Sequence, residues 1–401
     1  MPLQKMTSIE RRSVFSLALI MALRMLGLFM VIPLFALYIN QLPGTTPLLV
    51  GLTMGIYGLT QAIFQIPLGV LSDRIGRKKV ITLGLIIFMA GSIVAALSHS
   101  IWAILLGRAL QGAGAVGSTI MAFVADLTRE EQRTKAMAIT GMTIGMSFSI
   151  AMVLGPVLAP WIQVQGIFWL AALFSILGMF ILFACVPSHT RPTWHSETEP
   201  DFHQLSDILK HTELARFNIG IFCLHAIFTA SFIVIPISLQ TLAGLSSNHQ
   251  WALYLPTLIL AFCISVVCIV IAEKKHRVKP FFIAAVLLLT LAEISLWIFA
   301  KSLLLSALNL LLFFIAFSLL EAFLPSLVSK TAPPARKGTA LGIYSFSQFS
   351  GIFVGGAVGG WLYGAFGLTD VHLFCATLAI IWLGIAFTMK NPQYSLQPSS
   401  V

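Results

Sequence analysis

The sequence predicts an all-α polytopic membrane protein, with twelve transmembrane helices in two six-helix halves. Three observations predict it. Hydrophobic residues make up 58% of 401 and charged residues only 9%, at a mean hydropathy of +0.94; a soluble globular domain carries about 25% charge. Twelve apolar runs have the length of a bilayer crossing, about 20 residues. One long hydrophilic stretch, 188–213, separates six of these runs from the other six.

The runs, numbered here as spans 1 to 12, cover 14–39, 47–71, 79–97, 101–125, 136–160, 166–187, 216–240, 250–272, 280–300, 302–328, 338–363 and 369–389. Ahead of span 1, Glu10-Arg11-Arg12 reads as a charged anchor rather than an export signal. No small-residue cleavage site follows, and Arg24 interrupts the apolar core that a signal needs. In span 2, Gly51-x-x-x-Gly55 permits close helix packing. Between spans 2 and 3 stands Gly69-Val-Leu-Ser-Asp73-Arg74-Ile-Gly76-Arg77-Lys78-Lys79, a tight hairpin. An inward-facing loop explains its bases but not Asp73 or Gly69. Asp73 and Arg77 are spaced for contact across one helical turn.

Span 4 holds Arg108, which lies about 10 Å below the outer surface at 1.5 Å per residue. Gln111, Ala115, Thr119 and Ala122 continue its stripe, and Asp126 closes the span. Span 5 carries Gly141-x-x-x-Gly145 and then Gly155-Pro156, where a bend is expected. The stretch 188–213 carries His189, His195, His203 and His211 at spacings that fit no zinc geometry, and reads as a linker. Apolar spacing from Phe202 to Leu214 suggests a surface helix there. Span 7 contains His225, span 9 Glu293 and span 10 Glu321. The connection between spans 8 and 9, Ala272-Glu273-Lys-Lys-His-Arg277-Val-Lys279, is a degenerate copy of the 2–3 connection that lacks both glycines. Span 11 carries Gly351, Gly355, Gly356, Gly359, Gly360 and Gly364, a packing stripe. The polar tail Asn391–Val401 is expected to be too short to fold.

Of the 24 Lys and Arg, all but Arg24, Arg108 and Lys301 fall at the termini or in the even-numbered connections. This positive-inside bias places both termini in the cytoplasm. The net charge of +10 is therefore topological, with attraction to anionic lipid as a by-product, and does not point to nucleic acid. Cys185, Cys223, Cys263, Cys268 and Cys375 all fall in apolar segments without metal spacing. They are expected to be buried small hydrophobes. No phosphate loop, Ser-His-Asp set, Walker motif or metal cluster appears, so no cofactor is expected.

The 2–3 connection resembles the G-x-x-x-D-[RK]-x-G-[RK]-[RK]-[RK] signature of the major facilitator superfamily and matches at every specified position. Arg108-Ala-Leu-Gln111-Gly-Ala-Gly114 resembles that family's second signature. The stretch from Ala151 to Pro160 resembles its antiporter signature, with Ala151 and Ala159-Pro160 replacing expected glycines. The resemblance implies the major facilitator fold with parallel six-helix repeats, and the drug/proton antiporter branch. It implies a gate in which Asp73, Arg77 and Asp126 join the halves near the start of span 11 and release them when the transporter opens inward. It also implies that spans 1, 4, 7 and 10 line a central cavity, so that Arg24, Arg108, Gln111, His225 and Glu321 face it. Ionisable groups in a bilayer are costly and mark function. Glu321 and His225 are the natural proton carriers, with Glu293 as a rival on a peripheral span.

The implied function is proton-coupled export of small amphipathic molecules or metabolites by a monomer in the inner membrane. A facilitator importer or proton symporter of a small metabolite stays open because the span 5 signature departs from its pattern. A polytopic enzyme or sensor is the third reading, against which stand the missing catalytic set and the gating signature.

Overall fold

The computed structural model describes residues 6–187, 208, 210–333 and 336–390, and among them every regular element is helical. Backbone hydrogen bonds closed within each segment are the only open-chain solution inside a bilayer. Contacts divide the chain into two compact units, Met1–Glu199 and Pro200–Val401.

In the first unit α1 (Ser8–Phe29) opens on a capping box. The Thr7 hydroxyl accepts the Glu10 N–H, and the Glu10 carboxylate accepts the Thr7 N–H. A break at Met30–Val31 precedes α2 (Ile32–Ile39), with Pro33 in its first turn. Helix α3 (Pro47–Ile75) starts on a Thr46 cap and Pro47. Gly76 alone joins it to α4 (Arg77–Leu97), at φ 100°, a conformation open to glycine and strained for other residues. The expected continuous span 101–125 is instead two helices, α5 (Ile101–Ala113) and α6 (Gly117–Asp126). The break at Gly114 is a backbone-to-backbone approach: a Cβ there would lie 2.4 Å from the Gly84 carbonyl oxygen on α4.

Helix α7 (Glu130–Cys185) covers spans 5 and 6. Helical geometry persists through Gly155, Pro156 and Pro160, and the non-helical residue is Gln163, at φ 60° and ψ −179°. Gln163 falls between spans 5 and 6, at the connection that the sequence places there. Gly155 meets a different need: a Cβ there would lie 1.9 Å from the Met30 carbonyl oxygen, at the α1–α2 break. The core of this unit packs α1, α4, α6 and α7 around Leu17, Met21, Ile81, Leu85 and Phe123.

In the second unit α8 (Thr212–Thr241) is capped by His211, whose Nδ1 accepts the Leu214 N–H. After it come α9 (Trp251–Lys274), α10 (Val278–Phe299), α11 (Leu303–Thr331), α12 (Lys337–Phe366) and α13 (Leu368–Phe387). Its core is aromatic: Phe228, Phe232, Phe313 and Phe317 of α8 and α11 pack with centroids 4.7–6.4 Å apart. Gly351, Gly355 and Gly359 of α12 lie directly against Phe222, Ala226 and Ala230 of α8.

Ten of the described segments are long and apolar enough to cross a membrane by themselves. One of these is α7, which holds two spans, and α5 with α6 supply another, so each of the twelve expected runs is helical. Large apolar side chains such as Trp161 (84% exposed), Phe180 and Ile380 point outward, which suits lipid. The five cysteines are not all buried as expected. All five are free, and Cys223 and Cys375 are buried, but Cys185 and Cys268 are half-buried and Cys263 is exposed. An apolar span does not distinguish a core face from a lipid face, and both suit a thiol. Most of the linker, with His189, His195, His203 and much of Phe202–Leu214, lies outside the described residues.

Candidate functional site

The α3–α4 hairpin gathers its charges on one arginine. Arg77 lies 2.5 Å from Asp73 and 3.0 Å from Asp126 at the end of α6. It also donates to the Ser72 hydroxyl at 2.6 Å, which in turn donates to the Gly69 carbonyl. Asp73 and Arg77 meet across the Gly76 turn and not along one helix, because Gly76 ends α3 and starts α4. Lys78 donates to the Val186 carbonyl at 2.5 Å, tying the hairpin to the end of α7, while Arg74 is exposed. A Cβ on Gly69 would meet Ser118 Oγ at an ordinary 3.6 Å, so packing does not by itself demand that glycine.

The connection between α9 and α10 repeats this device in reduced form. His276 takes a positive φ of 52° three residues after Glu273, as Gly76 does three residues after Asp73. Glu273 pairs with Lys330 of α11 at 2.8 Å.

Two arginines lie deep in the first unit. Arg24 of α1 (2% exposed) donates to Gln61 Oε1 of α3 at 2.9 Å, with Phe88 5.5 Å from its guanidinium carbon. Arg108 of α5 (1% exposed) donates to Gln111 Oε1 at 2.8 Å and lies over Tyr57 at 4.5 Å and Phe35 at 5.3 Å. Gln111 Nε2 donates to Ser92 Oγ at 2.9 Å, and that hydroxyl donates to the Phe88 carbonyl. This chain orients the Gln111 amide with its oxygen toward Arg108.

The second unit holds two carboxyl–imidazole pairs. Around Glu321 of α11, Gln348 of α12 donates toward Oε1 at 3.3 Å and lies 2.9 Å from His225 Nε2. His225 of α8 comes within 3.8 Å of the carboxylate, beside Phe317. The Glu321 side chain is 35% exposed, and its Oε2 has no hydrogen-bond partner among the described residues. Glu293 of α10 is the opposite case. It is fully enclosed, accepts from Ser231 of α8 at 2.7 Å and lies 2.7 Å from His372 Nδ1 of α13.

Several participants escaped the sequence reading: Gln61, Gln348, His372, Ser231, and the clamp at the start of α7. In that clamp Glu10 accepts both the backbone N–H and the guanidinium of Arg129, at 2.9–3.1 Å. The Ser/Thr-x-x-Glu pattern at Thr7–Glu10 is a signal for the cap that the reading passed over, and it carries no signal for this partner. His372 is an ionisable residue inside an apolar run, and that signal could have found it.

Buried and paired charges on helices long and apolar enough to cross a bilayer mark a multi-pass membrane protein, and the family match makes it a transporter. The Major Facilitator Superfamily model matches residues 17–356, and the chain belongs to that superfamily. It is 45% identical over 390 residues to the inner membrane transport protein YajR of Escherichia coli K12, covering 97% of this chain and 86% of that protein. It is 25% identical over 347 residues to the multidrug resistance protein MdtH of Klebsiella pneumoniae strain 342, covering 85% and 84%. The crystal structure of a D-xylose-proton symporter aligns with TM-score 0.76 at 15% identity, covering 94% of this chain and 98% of that one, which shows the fold. The family and these relatives are transporters, not enzymes.

Proposed function

We propose that this chain is a proton-coupled antiporter that exports small amphipathic molecules or metabolites by alternating access. It works as a monomer in the inner membrane, with both termini cytoplasmic. Residues 1–187 and 214–401 are its two six-helix halves and 188–213 the linker. The observation that carries the reading is the Glu321–Gln348–His225 arrangement. Glu321 has one oxygen partnered by a neutral amide, the other without a partner among the described residues, and a titratable imidazole nearby. Such a carboxyl can take up or give up a proton when its surroundings change, since neither state is locked by a fixed cation. Glu293 is held by a hydroxyl and an imidazole in a closed site, which supports a structural role. Glu321 is therefore the proton carrier of this mechanism, with His225 as its relay.

The Asp73–Arg77–Asp126 cluster is the gate element. Its pairs are about a quarter exposed, and at that exposure an ion pair is worth about 1 kcal/mol or less. An interaction of that size can be broken and remade in each cycle. Proton movement in inverted membrane vesicles tests the reading. Addition of an exported substrate to energised vesicles should collapse part of the pH gradient. A proton movement of the opposite coupling sign would establish symport, and substrate movement without protons would establish a facilitator.

A further inference from the structure

Among its described residues the first unit buries two cations without an anion, and we propose that the substrate supplies it: the transported molecule is a small organic anion whose acid group is held by Arg24 and Arg108. This rests on the transporter reading above and specifies its substrate class.

A guanidinium stays charged inside a protein, and a buried charge is tolerated only with compensation. Here each arginine spends one N–H on a glutamine amide oxygen. Arg24 Nε and Nη1 and Arg108 Nε have no acceptor among the described residues. The described acids of this unit are elsewhere, with Glu130 and Glu131 in the first turn of α7. Glu10 is held by Arg129, and Asp73 and Asp126 by Arg77. Along α3, Asp73 lies twelve residues from Gln61, about 18 Å at the helical rise. Along α1, Glu10 lies fourteen residues from Arg24, about 21 Å. The ring faces of Tyr57, Phe35 and Phe88 offset part of the charge, and they also fix the guanidinium planes. The glutamines hold one N–H of each arginine and leave the unpartnered ones in a set orientation.

A planar fork with free N–H groups takes an oxyacid: carboxylate, sulfonate or phosphate. A cationic substrate would add a third positive charge to the unit, and a neutral one would leave both uncompensated. Arginine cannot serve as the exchanged proton site, so these two residues are left to recognition. Access to them, closed in this structure, comes with the alternating cycle.

The test uses the full chain in neutral maltoside micelles, with thermal stabilisation and calorimetric titration as readouts. The probes are benzoate, benzenesulfonate and phenyl phosphate, set against benzamide and benzylammonium. The acids should bind and stabilise, and the amide and ammonium should not. Arg24→Gln and Arg108→Gln should each weaken acid binding about tenfold or more. Arg24→Lys and Arg108→Lys should keep the preference for acids at lower affinity, because the charge remains and the fork is lost. If a Gln variant fails to fold, the selectivity series on the unaltered chain still decides. Stabilisation by benzylammonium equal to that by benzoate would overturn the proposal, as would no response to any of the three acids. So would a response to phosphatidylglycerol alone, which would make this a lipid headgroup site. Flux in proteoliposomes separates the two readings. Acid binding without proton exchange removes the antiporter and keeps the anion site. Proton-driven exchange of organic cations keeps the antiporter and removes the anion site.

Discussion

Gly355→Ala should destabilise the second unit although it adds a single methyl group to a helix. Gly351, Gly355 and Gly359 of α12 face Phe222, Ala226 and Ala230 of α8 one for one, in a shared four-residue register. A Cβ on Gly355 would lie 2.2 Å from the Ala226 carbonyl oxygen and 2.6 Å from its Cα, whereas ordinary contact begins at 3.4 Å. The shortfall is 1.2 Å against backbone, so no side-chain rotation relieves it and the helices must part. Overpacking of this kind costs about 1–3 kcal/mol. The better helix propensity of alanine returns up to about 1 kcal/mol, leaving a net loss of up to about 2 kcal/mol. Gly384→Ala is the control: a Cβ there meets nothing within 4 Å, so propensity alone acts and stability should hold or rise. The assay is the fraction of monodisperse protein left after heating in detergent, read by size-exclusion chromatography. Ala226→Gly should not rescue Gly355→Ala, because the obstructing atoms are backbone. Ala230→Gly should partly rescue Gly359→Ala, since the Ala230 Cβ is one of its two contacts at 2.9 Å. A Gly355→Ala protein that melts at or above the unaltered chain would refute the reasoning.

Other expectations concern the charged sites. Asp73→Asn should slow or abolish transport at near-normal expression, and unchanged flux would remove Asp73 from the gate. Arg77 and Asp126 should couple by about 0.5–1 kcal/mol in a double-mutant cycle on thermal stability, with strictly additive losses arguing against direct pairing. Swapping the two charges should restore part of the lost transport. Glu321→Gln should abolish proton-driven efflux while leaving downhill substrate exchange intact, and retained uphill efflux would move the proton to His225 or Glu293. Glu293→Ala should lower stability by about 1–3 kcal/mol, because it strips the acceptor from Ser231 and His372. A normally stable Glu293→Ala protein that no longer couples to protons would reverse the roles given to the two acids.

Hydropathy and charge placement were enough to locate all twelve spans, since a bilayer imposes both length and apolarity on any crossing. They also singled out Asp73 and Arg77 within their hairpin, and Arg24, Arg108, His225, Glu293 and Glu321 as charges in places where charge is costly. The breaks inside spans were not legible: Met30–Val31 and Gly114–Val116 lie against backbone of helices distant in sequence, whereas Gln163 falls between spans 5 and 6, where the sequence does place a connection. Partners were not legible either. Gln61 stands 37 residues from Arg24, Gln348 stands 123 from His225, and His372 stands 79 from Glu293. Cys263, expected inside, faces out for a related reason. In a soluble helix the polar face marks the outside, but in a membrane helix the lipid face and the core face are both apolar, so periodicity is silent on which side is in. The amino-acid sequence by itself therefore determined that this chain crosses a bilayer, how often, and which charges it buries there. Tertiary structure alone decided which buried groups found partners, leaving Arg24 and Arg108 short of an anion and Glu321 short of a second hydrogen bond among the described residues, because a hydrogen bond is made by neighbours in space.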